Sequence, residues 1–192
     1  RGPGRPRSDY GGIIRTDLSG QKQWGIKHNA VYMAAGSGRF YAAGGGGFTE
    51  EPGVRIYDLK NGRRLNYETG RPSLLLPGEA EPTAVSGLAV HEGRLYVSCA
   101  ARDLIGVYSV PAGKLEHRWP VERPGRLTVT PEGRLLAISP GRIVSVSGDE
   151  VETLVKDHID SPAGIATDGE GRIYVANRGK LQNVSIFSPL GT

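Results

Sequence analysis

Three kinds of short segment recur along this chain, told apart by how apolar and polar positions are arranged. The first is rich in small residues: Ala34-Ala35, Gly87 with Ala89, and Gly164 with Ala166. The second is a continuous apolar run, as in Phe40-Tyr41-Ala42-Ala43, Leu95-Tyr96-Val97 and Ile173-Tyr174-Val175-Ala176. Runs of that kind suit strands buried on both faces. The third mixes polar and apolar positions, as in Val184-Ser185-Ile186-Phe187-Ser188, and suits outer strands with one face in water. Arg126-Leu127-Thr128-Val129 stands where a small-residue segment belongs and fits that role poorly.

The segments are phased by turns. Gly38-Arg39, Gly93-Arg94, Gly133-Arg134 and Gly171-Arg172 each lead into an apolar run, at intervals of 55, 40 and 38 residues. Glycine supplies the positive φ of a tight strand-to-strand turn. A period of ~40–45 residues carrying four short strands marks a propeller blade. A second turn recurs at Asp17–Gly20, Asp58–Gly62, Val110–Gly113, Ser147–Asp149 and Ser188–Gly191. Five outer turns against four inner ones make the chain begin and end inside a blade. The pattern therefore predicts an all-β propeller arc of about four to four and a half four-stranded blades, cut from a six- or seven-bladed ring, with essentially no helix. The predicted units are a flexible basic tail over residues 1–10, a half blade over 11–27, and blades over about 28–69, 82–120 and 123–156. An incomplete blade follows at 161–192. Such an arc exposes apolar faces at its ends, near Ile13, Ile14, Val184 and Ile186, and is expected to self-associate.

Composition changes this picture little. The 192 residues carry 24 Lys and Arg against 20 Asp and Glu, a net charge of +4. Arg1, Arg5 and Arg7 against Asp9 make up +2 of that charge in a Gly/Pro-rich tail, so the body is nearly neutral and a nucleic-acid partner is disfavoured. No apolar run approaches the ~18 residues of a membrane-spanning helix. The single cysteine, Cys99, rules out an internal disulfide framework.

The pattern Pro-x-Gly-Ile-Ala-x-Asp-x-x-Gly-Arg-Ile-Tyr-Val-Ala from Pro162, followed by Val-x-Ile-Phe-Ser-Pro-x-Gly from Val184, resembles the NHL-repeat propellers. It is similar too to the six-bladed senescence-marker/gluconolactonase-like propellers. The half blade ending Gly20-Gln21-Lys22-Gln23-Trp24 looks instead like a quinoprotein-type blade. The first resemblance implies a binding scaffold for a protein or carbohydrate partner, in an extracytoplasmic (secreted or periplasmic) setting. The second implies a divalent metal in the central channel and ester or lactone hydrolysis, and the third a quinoprotein-like dehydrogenase.

The residues discriminate among these. Lactonase-like propellers place Asn before the innermost-strand glycine and Asp just after the second strand. Here the first position holds Ala30, Ser86, Gly125 and Ala163, and the second holds Gly44, Cys99, Ser139 and Asn177. Asn177 alone could ligate, without the charge a hard cation favours. No cofactor is predicted from the residues themselves, and a divalent metal is what the lactonase resemblance would add. Asp157-His158-Ile159-Asp160 gathers carboxylates and an imidazole but reads better as a solvated loop. Gly44–Gly47 lacks the following helix of a phosphate-cradling loop. No Gly-x-Ser-x-Gly elbow is present, Cys99 reads as a buried thiol, and Asn183-Val184-Ser185 matches the glycosylation pattern within a strand.

Chain direction still selects a face. Loops between blades and loops after second strands must share one side of the disc, while the tight Gly turns share the other. The varied loops at 27–29, 44–52, 70–83, 100–103, 156–161 and 177–181 all fall on the first side. Binding residues concentrate on loops held by a rigid scaffold. The binding-face candidates are His28, Asn29, Glu50, Glu51, Arg102, Asp103, His158, Asn177 and Arg178. The reading that results is a non-catalytic binding propeller working through this loop face.

Overall fold

The computed structural model describes residues 12–27, 30–44, 53–74 and 85–192. Strands β1 (Gly12–Thr16) and β2 (Lys22–Lys27) form a hairpin that is a two-stranded sheet of its own. Four antiparallel sheets follow, arranged as the blades of a four-blade propeller. The first holds β3 (Tyr32–Gly36), β4 (Arg39–Ala43) and β5 (Val54–Asp58), with its outer position shared by β6 (Arg64–Leu65) and β7 (Ser73–Leu74). The second is β8 (Gly87–His91), β9 (Arg94–Cys99), β10 (Leu104–Ser109) and β11 (Lys114–Pro120). The third is β12 (Leu127–Val129), β13 (Leu135–Ser139), β14 (Arg142–Ser147) and β15 (Glu150–Val155), and the fourth β16 (Pro162–Thr167), β17 (Ile173–Asn177) and β18 (Val184–Phe187). The helical content of the described residues is a single 3-10 turn, Ala100–Arg102.

The turn phase read from the sequence holds. Gly38, Gly93, Gly133 and Gly171 adopt φ of 73°, 76°, 85° and 77°, each between the first and second strands of its blade. One boundary moves. The first blade runs past residue 69, because both β6 and β7 pair with β5 and only residues 66–72 bulge out between them. Tyr67 in that bulge is buried and donates its hydroxyl to the Val54 carbonyl at 3.0 Å. A buried phenol with a partner can interrupt a strand at little net cost.

Blades pack by dividing the second strands of the first three blades between two cores. In β13, Leu135 and Ala137 join Ile105, Val107 and Trp119 of the second blade. The alternate residues Leu136 and Ile138 join Ile173, Val175 and Phe187 of the fourth. Side chains on a strand point alternately to its two faces, so one apolar run serves two interfaces. Each fully buried aliphatic side chain contributes about 1.5–3 kcal/mol. The hairpin is held to the first blade by a stack of rings, Trp24 on Phe40 at 5.3 Å and Phe40 on Tyr57 at 4.7 Å.

At the rim, an outer-strand residue of one blade covers the outer turn of the next. Trp24 lies on Gly62, where an added Cβ would meet the indole at 2.8 Å, and donates its N–H to the Leu59 carbonyl at 3.2 Å. Tyr67 lies on Gly113 in the same way, with an added Cβ 2.7 Å from the ring. Trp119 donates to the Gly148 carbonyl at 2.7 Å, and Leu154 packs against Gly191. Gly62, Gly113 and Gly191 must be glycine for this contact as well as for their positive φ, whereas a Cβ at Gly148 would meet nothing within 4 Å.

Candidate functional site

Near the axis the innermost strands converge with space between them. On the side carrying the inter-blade loops they frame a cleft of about 540 Å³, lined by Tyr32, Ser86, Gly125, Arg126, Ile138, Ser161, Pro162, Ala163 and Arg178. A second axial space of about 410 Å³ adjoins it, sharing Tyr32, Arg126 and Ala163 and including Leu88 and Ile165. A neighbouring recess of about 280 Å³ brings in Arg123 and Ala100 and shares Ile138, Ser161 and Pro162.

Arg126 dominates the cleft. It directly precedes β12, where the geometry calls for a small residue, and its guanidinium crosses towards the first blade. There it lies 4.3 Å from the centre of the Tyr32 ring and donates to the Val31 carbonyl at 3.3 Å. The misfit of residues 126–129 to a small-residue strand was thus the mark of a side chain spanning the cleft. Arg178 enters from the loop after β17, is exposed, and has no side-chain partner among the described residues. Neither Tyr32 nor Arg126 was among the residues picked from sequence, and that misfit was the signal for the second.

The loops around the cleft are braced from within. Ser86 Oγ donates to the Pro124 carbonyl and accepts from the Ala100 amide at 3.0 Å, while Ser98 Oγ donates to the Gly125 carbonyl at 2.6 Å. Asp103, in a left-handed conformation, accepts from the Arg123 amide at 2.7 Å through its carboxylate. The Asp160 carboxylate receives the Lys180 and Leu181 amides, and the Arg178 amide donates to the Ser161 carbonyl at 3.2 Å. These bonds join inter-blade loops to loops after second strands, so both kinds lie on one side.

Of the binding-face candidates, the structure brings Arg178 to the axial cleft. Arg102 is exposed on the 3-10 turn, and Asp103 beside it braces the next loop. His158 lies at the rim, in a groove of about 880 Å³ between β15 and β18, where its carbonyl accepts from Ser185 Oγ at 2.9 Å. That groove is the uncovered flank of a three-stranded sheet, lined by Leu154, Ile186 and Phe187. Asn177 is buried: its Oδ1 accepts from the Asp160 amide at 2.9 Å, and its Nδ2 donates to Asn183 Oδ1 and Ser185 Oγ, each at 2.9 Å. His28, Asn29, Glu50 and Glu51 lie outside the described residues.

These placements bear on a channel metal. Asn177 spends its amide on the loop braces, Ser139 Oγ donates to the Glu122 carbonyl at 2.8 Å, and Cys99 is fully buried. The described residues at the lactonase-like ligand positions therefore do not form a cation site, and among the described residues no group of three His, Cys, Asp or Glu side chains is placed to hold one. Asp160 turns to backbone amides and not to His158. No helix of the described residues is long and apolar enough to cross a membrane.

No protein-family model matches the chain, and comparison with curated proteins finds no match. Solved structures share its fold. A protein of unknown function from Bacteroides caccae superposes with a TM-score of 0.62 at 13% identity, over 94% of this chain and 72% of that one. The computationally designed Ika8 protein gives 0.56 at 12% identity, over 90% of this chain and 63% of its own length. The designed Ika4 protein gives 0.56 at 10% identity, over 83% of this chain and 90% of that one. At such identities the likeness concerns the fold alone.

Proposed function

We propose that this chain is a non-catalytic binding propeller of the NHL-like kind, recognising a protein or carbohydrate partner through its loop face, with the axial cleft as the point of contact. One observation carries the reading: Arg126 and Arg178 line one cleft of about 540 Å³ whose surrounding loops are braced by hydrogen bonds. Donor groups held on a rigid frame bind with little ordering cost. Among the described residues the lining includes two serines but no His, Asp or Glu to act as a base beside them, and general acid–base or nucleophilic catalysis needs such a pair.

The test is to screen the full chain against peptide and glycan arrays and map the best binder by hydrogen exchange. Protection is expected at residues 86, 125–126, 161, 163 and 178. Protection confined to the tight turns at Gly38, Gly93, Gly133 and Gly171 would overturn the loop-face reading.

A further inference from the structure

Resting on that loop-face reading, we infer that the cleft is a docking site for an acidic peptide, with Arg126 and Arg178 receiving its carboxylates. Arg126 and Arg178 supply the cleft with permanent positive charge, and no carboxylate lies among its described lining residues. Arg123 extends the basic character into the adjoining recess. Three acids of the described loops around the cleft are already engaged. Asp160 holds the Lys180 and Leu181 amides, Asp103 holds the Arg123 amide, and Glu122 pairs with Arg142 at 3.0 Å. A guanidinium presents a planar fork of donors that matches a carboxylate. Arg178 has that fork free of any side-chain partner among the described residues, and Arg126 uses one nitrogen, on the Val31 carbonyl.

The same lining argues for a peptide over an acidic sugar. Sugar sites generally offer an open aromatic face and a dense set of polar side chains. The one ring here, Tyr32, is covered by Arg126, and the Ser86 hydroxyl is consumed by Pro124 and Ala100. What is left open is apolar wall from Ile138, Pro162 and Ala163, which suits the aliphatic stem of a glutamate side chain and the backbone beyond it. Arg126 also pre-pays its own ordering by stacking on Tyr32.

The probe is fluorescein-labelled hexaglutamate, titrated with the full chain and followed by anisotropy. Saturable binding that weakens as salt is added is expected. The Arg126→Ala, Arg178→Ala double variant should bind about tenfold or more weakly, because each charge-assisted hydrogen bond lost counts. Lys114→Ala, on the outer strand β11, should bind as the parent chain does. Charge reversal, Arg126→Glu with Arg178→Glu, should abolish hexaglutamate binding and create binding to labelled hexalysine, a gain that misfolding cannot mimic. Binding no stronger than a hexaglutamine control, or unchanged in the double variant, would overturn the inference. So would an oligogalacturonate that displaces hexaglutamate more strongly than unlabelled hexaglutamate does, since the ligand would then be a sugar acid. If hexaglutamate fails while a neutral array ligand protects the loop face, the acidic-ligand inference falls and the binding reading stands.

Discussion

The third and fourth blades are built from the same kind of sequence and meet different fates. In the third, every residue of β13 is buried, as are Ile143, Val144, Ser145 and Val146 of β14. In the fourth, Ile173 and Val175 of β17 are fully buried, but the alternate residues Tyr174 and Ala176 are partly exposed. Val184 and Ile186 of β18 stand 58% and 60% exposed. The third blade has neighbours on both faces, whereas the fourth is packed on one among the described residues. An apolar run specifies a strand that can serve two cores, and a neighbour on each side is what makes it do so. The fourth blade compensates with polar staples, the Asn177 amide network and a turn closed by Asp168.

Truncating Leu136, which is fully buried in the third blade, should cost about 2–5 kcal/mol in a denaturant melt, whereas Ile186→Ala in the fourth should cost far less. Equal losses would mean that the fourth blade is covered in solution and the contrast is false.

The next effect concerns the staple. Asn177→Ala removes the acceptor of the Asp160 amide and the donor to the Asn183 and Ser185 side chains, and should cost about 1–3 kcal/mol. Amide exchange in residues 177–185 should rise ahead of exchange in β13. A uniform rise across the chain would show that the two blades unfold as one unit.

Acid should loosen the fourth blade through Asp168. Its carboxylate accepts from Arg172 Nε at 2.7 Å, the Tyr174 hydroxyl at 2.9 Å and the Glu170 and Arg172 amides. The Arg172 bond leads the effects that hold its pKa at about 2, against 3.8 when unpaired. The folded state thus favours the charged form, so the contribution is complete above 3.8 and is lost as the pH falls through about 2. Asp168→Asn should flatten the stability profile across that window. A profile identical to that of the parent chain would remove this staple from the account.

The smallest effect on stability and the clearest on behaviour should come from Val184→Lys with Ile186→Lys. Both residues are exposed, so the melt should shift by no more than about 0.5 kcal/mol per site. Light scattering should show less association than in the parent chain, because an apolar patch has been removed. A parent chain that is already a monodisperse monomer would show that these faces do not drive contact.

Much of the fold was legible along the chain. Glycine at fixed offsets has a local reason, the positive φ of a tight turn, so the four inner turns and the blade phase could be placed without knowing any neighbour. The split outer strand of the first blade could not be placed, because Tyr67 enters the core only where Gly113 of the next blade leaves room for its ring. Of the candidate cleft's lining, the loop positions pointed to one residue, Arg178. Arg126 showed itself as a misfit, but nothing in its surroundings in sequence names Tyr32 or Val31, the latter 95 residues away, as its partners.

The sequence by itself determined the strands, their turns and the side of the disc on which the varied loops gather. Those follow from backbone preferences and alternation, which act over a few residues. Only the tertiary structure decided which apolar faces are covered, which ring lies on which turn glycine, and which arginines meet at the axis. Those depend on blades coming side by side, and the energy of such contacts lies between segments far apart in the chain.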